Sequence, residues 1–335
     1  MFKTLSSLSC LLASITFASV SFAADTPTDY EKCLNRALTN GDSNLTLGDI
    51  RESCAAAKKS KPTIKTKMVK SLNGQMVSRP TAVPQYRRDP LFNLVAHRPN
   101  YLIPVSFIDN ASSAEEDARR TDLDNLETQF QLSLKVAIWD KPFGQNAYLS
   151  GAYTAKNFWQ SYNADNSAPF RETNHEPELI LTFDNDASFF GFKNPANRII
   201  FNHQSNGRAG DYSRSWNRVI LEFVLQKDKW SSTFRPWYRL PEARAKDDNH
   251  DIERYLGHFE WRNTLAVGKG QQVSLMLRNN LRSDNKGAMQ LSWSVPISKN
   301  IDGLIHYFNG YGQSLIDYNR SVESIGFGVQ ISEWY

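Results

Sequence analysis

The sequence predicts an all-β fold, a twelve-stranded antiparallel transmembrane β-barrel with a small N-terminal appendage. Three features carry that reading. From about residue 100 the chain runs in short segments of two-residue apolar/polar alternation, separated by turns rich in Asn, Asp, Gly, Ser and Lys. An export signal precedes them. The chain ends on an aromatic, Tyr335, of the sort found on outer-membrane barrels.

The export signal is read from Lys3, the short apolar core "CLLASITFASV" and the small-x-small site "SFA" ending at Ala23. Residues 1–23 are therefore a cleaved signal peptide. Cys10 opens that core rather than following it, so it is not a lipid-attachment cysteine. Its removal leaves Cys33 and Cys54 as a pair in an oxidising compartment, where a disulfide is expected. Residues 24–98 form an appended periplasmic region and linker, with the basic run "KKSKPTIKTKMVK" and the proline-containing "SRPTAVPQYRRDP". A capping box from Thr46 to Asp49 predicts a short helix carrying Cys54. The same stretch resembles a calcium loop only superficially. Leu47 stands where the turn glycine belongs and Ser53 where the bidentate glutamate belongs, so a solvated helix cap is the better reading.

No later stretch is apolar for the roughly 18 residues a transmembrane helix needs. The mean hydropathy of -0.51 has a soluble look. A barrel escapes both tests, because half of each strand faces a polar interior. The net charge of +4 on 335 residues is too small to suggest a nucleic-acid-binding protein.

Candidate strands fall near 101–108, 127–140, 146–159, 176–185, 197–206, 214–227, 230–240, 251–264, 270–280, 286–296, 302–312 and 322–334. Their number is even, and each is long enough to cross a bilayer when tilted. "AMQLSWSV" puts Met289, Leu291, Trp293 and Val295 on one side; "QVSLMLRN" does the same with Val273, Leu275 and Leu277. "RYLGHFEWR" sets Tyr255, Phe259 and Trp261 against Arg254, His258, Glu260 and Arg262. The last segment aligns Ile325, Phe327, Val329 and Ile331 with Tyr335. A soluble sandwich or lipocalin-like barrel would also alternate. The signal peptide, the charges opposite the aromatics and the terminal aromatic favour the membrane.

Against this rhythm one hairpin carries polar residues on its apolar side. His203 and Ser205 share parity with Ile199 and Phe201, and across a loop Asn217 shares parity with Val219, Leu221, Phe223 and Leu225. Arg218, Glu222 and Gln226 take the lumen side. Polar groups facing hydrocarbon have no water to bond, unless they bond one another. The three residue types match a nucleophilic triad: Ser205 as nucleophile, His203 as general base and then acid, Asn217 as acceptor for the far ring nitrogen. Asn orients the ring but supplies no negative charge. On spacing alone the bland reading stays open, in which a His-Ser-Asn cluster at a strand end simply meets the headgroup layer.

The block "NHQSNGRAGDYSRSWNR" at 202–218, with "SAPFRETNHEPEL" at 167–179 before it and "GYGQSLIDYN" at 310–319 after it, closely resembles outer-membrane phospholipase A. The resemblance runs from about Asn100 to the C-terminus and leaves the appendage outside. It implies a barrel of twelve strands with its active site on the outer wall. It also implies Ser205 as nucleophile, His203 as base and Asn217 as orienting amide. Calcium is the implied cofactor, held across a homodimer interface by the Arg208 backbone carbonyl and Ser213 hydroxyl of one copy and Ser167 of the other. Gly207 is implied as the oxyanion donor through its backbone N–H, together with a calcium-bound water. The substrate class is membrane glycerophospholipid, at the bacterial outer membrane. One departure from the enterobacterial pattern is Ala155, where those members carry an interface glutamine. A passive outer-membrane channel, a structural barrel and an inactive scaffold are the competing readings.

Overall fold

Strands whose two faces differ this sharply need a closed sheet, because an open edge in lipid leaves backbone groups unbonded. The computed structural model describes residues 66–70, 76–80, 86–109, 123–144, 146–243 and 247–331. The signal peptide, Cys33, Cys54, the capped helix at Thr46 and the terminal Tyr335 lie outside the described residues.

A hairpin, β1 (Thr66–Lys70) and β2 (Met76–Pro80), precedes the barrel. The short β3 (Leu94–Ala96) and β4 (Tyr101–Asp109) both pair with β5 (Leu126–Asp140). Then come β6 (Ala147–Trp159), β7 (Phe170–Phe189), β8 (Phe192–Ser205), β9 (Ser215–Lys227) and β10 (Trp230–Arg239). A short helix α1 (Ile252–Leu256) leads into β11 (Phe259–Gly268), β12 (Gln271–Asn279), β13 (Gly287–Pro296), β14 (Ile301–Tyr311) and β15 (Ser321–Ile331). Each strand from β4 to β15 is antiparallel to its neighbours, and β15 returns to β4. Twelve strands thus close the barrel, as the sequence predicts. Turns of a few residues join the strands at one rim; the longer loops, including 206–214, 240–258 and 312–320, gather at the other.

The expected spans depart from the observed ones at two sites where the pattern itself breaks; β7 in addition begins at Phe170 rather than near residue 176. β7 and β8 run well past residues 185 and 197 toward the short-turn rim. Their register shifts between Asp184 and Ala187, opposite Asn194 to Ala196, and a bulge there breaks the two-residue rhythm on which the sequence reading relied. The segment before β11 is the second. Tyr255 was expected on a strand with Phe259 and Trp261, but it lies in α1. Ile252 and Leu256, four apart, bury their side chains together, and Tyr255 packs on Tyr318. Gly257 ends the helix at φ +71, where a Cβ would collide with the Asn279 carbonyl.

The parity holds around the wall. Met289, Leu291, Trp293, Ile305, Ile325 and Phe327 are exposed, whereas Glu127, Arg171, Glu176, Arg218, Glu222 and Arg235 are buried in the lumen. Those lumen charges are paired. Arg171, fully buried, bonds Glu127 at 2.8 Å and Asp317 at 2.6 Å and stacks on Phe158. Arg98 bridges Glu176 and Glu178; Arg235 contacts Glu178, Glu222 and Glu260. Toward the long-loop rim an apolar cluster of Ile180, Ile200, Ile220, Trp216, Trp237 and Leu315 meets α1. A polar cavity of about 430 Å³ remains between these layers.

Removing one partner of a buried ionic set leaves the rest uncompensated, at a cost of about 3–5 kcal/mol. Arg171→Met is therefore expected to destabilise the barrel by about 3–5 kcal/mol in reversible denaturant unfolding in micelles. Arg254→Ala, which breaks an exposed pair with Asp284, leaves the unfolding midpoint unchanged.

Candidate active site

The site lies where β8 ends and β9 begins, at the long-loop rim. The register pairs His203 with Asn217 and Ser205 with Ser215. His203 is exposed on the outer wall, with Ser205 two residues along the same face. Its Nδ1 lies 2.9 Å from Asn217 Oδ1. The Asn217 amide in turn donates from Nδ2 to Glu242 Oε1 at 3.0 Å. A carboxylate only accepts, so the amide must present its NH2 to Glu242 and its oxygen to His203. Nδ1 then carries the ring proton, which leaves the lone pair on Nε2.

The Ser205 hydroxyl accepts a hydrogen bond from the Gly207 backbone N–H at 3.0 Å. Among the described residues that amide, and not His203, is its recorded partner. Gly207 sits at φ +67, a left-handed conformation open to glycine, which turns its N–H back toward Ser205. Hydrogen bonds between nucleophile and base are often open in a substrate-free enzyme and tighten in the complex.

The loop after Ser205 is held from within by Asn206, which is buried. Its Oδ1 accepts from the Arg208 and Arg214 amides, and its Nδ2 donates to the Tyr212 carbonyl. The Arg208 side chain ties the loop to β7 through Glu172 and the Arg171 carbonyl. Among the described residues nothing donates to the Arg208 carbonyl oxygen. Ser213 Oγ donates to Asp248 Oδ2 at 2.6 Å, and the Ser215 amide donates to the buried Asn249. Tyr318, in the loop after β14, donates its hydroxyl to Asp251 at 2.7 Å; burial and then that bond raise its pKa.

Arg208 and Ser213 thus lie on one loop, whereas Ser167 caps a one-turn 3-10 helix (Ala164–Asn166) between β6 and β7. Among the described residues no cluster of three or more His, Cys, Asp or Glu side chains is placed to hold a metal. The donors include a carbonyl, a hydroxyl and the Asp248 carboxylate. An all-oxygen set of this kind fits a hard cation such as calcium, weakly held. Ala155 pairs with His175 in β7, which pairs in turn with Ser205 in β8. His175 Nδ1 lies 2.6 Å from the Tyr153 hydroxyl, so an aromatic pair occupies the wall beside Ser205.

Sequence reasoning missed Asn206, Glu242, Asp248 and Asn249. Asn206 lay inside the quoted block, and its turn-forming residue type was the available signal. Nothing local marks Glu242, which lies 25 residues beyond Asn217 and meets it only through the fold.

Residues 77–331 match the phospholipase A1 family. Phospholipase A1 of Klebsiella pneumoniae is 35% identical over 253 residues, covering 74% of this chain and 85% of the relative. Phospholipase A1 of Escherichia coli K12 is also 35% identical, over 74% of this chain and 84% of its own length. The solved outer membrane phospholipase A from Escherichia coli superposes with a TM-score of 0.67 at 33% identity, covering 73% of this chain and all of that one. The Salmonella typhi outer membrane phospholipase, a dimer with bound calcium, gives a TM-score of 0.67 at 32% identity over 74% of this chain and 95% of that one. The chain belongs to the phospholipase A1 family.

Proposed function

We propose that the chain is a calcium-dependent phospholipase of the outer membrane that hydrolyses acyl esters of glycerophospholipids with a Ser205-His203-Asn217 triad. The observation that carries this reading is the His203–Asn217 hydrogen bond of 2.9 Å on the outer, lipid-facing wall. Polar side chains placed there meet lipid directly, so the substrate needs no passage into the lumen.

The ester carbonyl of a lipid in the adjoining leaflet reaches Ser205 along the wall. His203 Nε2 takes the hydroxyl proton as Oγ attacks the carbonyl carbon. The same proton passes to the departing lysolipid alkoxide, leaving an acyl-serine. Water then attacks the acyl carbon while His203 takes its proton; the fatty acid leaves and the proton returns to Ser205. Once Ser205 Oγ swings toward the substrate, the Gly207 N–H is released to meet the oxyanion. Asn217 holds the ring in the tautomer that keeps Nε2 basic.

The Arg208 carbonyl and Ser213 hydroxyl would hold calcium in one copy, with Ser167 supplied by a second, as dimerisation would require. When bound, the ion supplies positive charge beside the developing oxyanion. Ala155 removes a polar contact from the implied dimer face, so the dimer is either weaker or rests on apolar contacts and the appended region. Residues 1–23 serve as the export signal and residues 24–98 as a periplasmic segment and linker, of which the part from Tyr86 onward already bonds the barrel: Tyr86 meets Gln226, Arg88 meets Asp184 and Leu91 bridges to Ala137 before β3 pairs with β5.

Fatty-acid release from phospholipid–detergent micelles tests the assignment. Ser205→Ala and His203→Ala are expected to fold normally and lose at least about a thousandfold in kcat, since triad members act as a unit. Retained hydrolysis by either variant would refute the roles. Asn217→Ala is expected to lose about ten- to a hundredfold, because misorientation of a base costs up to that much. Chelation of calcium is expected to abolish release in the wild type, and Ser213→Ala to raise the calcium concentration for half-activity about tenfold, one oxygen ligand having been lost.

A further inference from the structure

We infer that Glu242 is a fourth member of this machinery, a positioning residue that holds Asn217 in the one orientation compatible with base catalysis. The inference rests on the phospholipase reading and deepens it. Two contacts bring the segment after β10 onto Asn217: the Leu240 amide donates to the Asn217 carbonyl at 2.8 Å, and Glu242 Oε1 accepts from Asn217 Nδ2 at 3.0 Å. Backbone and side chain of Asn217 are therefore gripped by the same three-residue stretch, Leu240 to Glu242, and Glu242 is half-buried beside it.

A carboxamide has two ends of nearly equal size and opposite hydrogen-bonding character. Turned about, Asn217 would direct its NH2 at His203 Nδ1. That nitrogen would then have to accept, the ring proton would move to Nε2, and the atom that must deprotonate Ser205 would be blocked. An Asp in the third position cannot make this error, because both its oxygens accept. Asn can, and needs an outside group to forbid the turn. Glu242 does so, since the turned amide would set oxygen against carboxylate oxygen. The bond to a charged acceptor is also stronger than one to a neutral acceptor. It places on the far side of the amide the negative charge that Asn itself lacks. The chain Glu242–Asn217–His203–Ser205 thus divides between two residues the orienting and charge-bearing work of a single Asp.

The experiment measures kcat and KM for fatty-acid release from phosphatidylglycerol–detergent micelles with calcium in excess. Glu242→Ala is expected to lower kcat about tenfold with KM within about twofold, the size of effect that follows from losing one charge-assisted bond. Glu242→Gln is expected to recover only part of the lost rate, because its amide oxygen accepts the same bond but its NH2 also satisfies the turned Asn217. Glu242→Lys, which donates and so favours the turned amide, is expected to fall below Glu242→Ala. In the Asn217→Ala background, Glu242→Ala is expected to change nothing further, which separates action through Asn217 from a general loosening of the loop. Wild-type kcat in Glu242→Ala or Glu242→Lys, full wild-type rate in Glu242→Gln, or independent, multiplying effects of the Asn217 and Glu242 changes would overturn the inference while the hydrolase reading stands. A wild-type protein that releases no fatty acid, with Ser205→Ala as its match, would overturn both.

Discussion

The register of β8 against β9 is the constraint on which the site depends. Side chains alternate along a strand, so a slip of one residue would send His203 and Ser205 into the lumen and bring Asn202 and Gln204 into lipid. The pairing of His203 with Asn217 is held on both flanks. Below it, Ile199, Phe201, Leu221 and Val219 meet lipid while Ile200 and Ile220 fill the interior. Above it, Asn206 ties the connecting loop at both ends and prevents the hairpin from sliding. Inside, Trp216 donates to Gln204, a third lock on the same register.

That register has meaning only in a closed barrel whose interior satisfies its own polar groups. Buried charges in a protein are tolerated when they are paired, and the lumen here holds paired sets, one around Arg98 and Arg235 and another around Arg171. Buried ion pairs are weak contributors to stability but demanding in geometry, since each partner must stay within reach of the others. The wall that carries the site is backed by this polar layer and by the apolar cluster around Trp216. Glu172 belongs to both systems: it accepts from Asn174 inside and from Arg208 in the 206–214 loop. The loop that supplies Gly207 and Ser213 is in this way coupled to the lumen rather than left to solvent.

The remaining neighbours of the site come from distant parts of the chain. The segment between β10 and α1 brings Glu242, Asp248 and Asn249 to the rim, and β6 and β7 bring Tyr153 and His175 to the flank. Polar groups on a lipid-facing wall demand protein partners wherever water does not reach them. The amide of Asn217 shows what that demand produces: both its ends are bonded, and the bond at one end decides which atom faces His203.

The sequence by itself determined the strand count, the faces of the strands and the shared parity of His203, Ser205 and Asn217. All of these follow from a period of two and from turn residues, which are local properties. It failed where the period broke, at the β7–β8 bulge and at α1, because a bulge or a buried helical turn is stabilised by contacts from elsewhere. Tertiary structure alone decided that His203 and Asn217 lie opposite one another, that Ser213 faces a carboxylate, and that Glu242 orients the Asn217 amide. Those facts depend on register and on loop placement, which no local pattern encodes, since the pairing energy is released only when residues far apart in the chain are brought together.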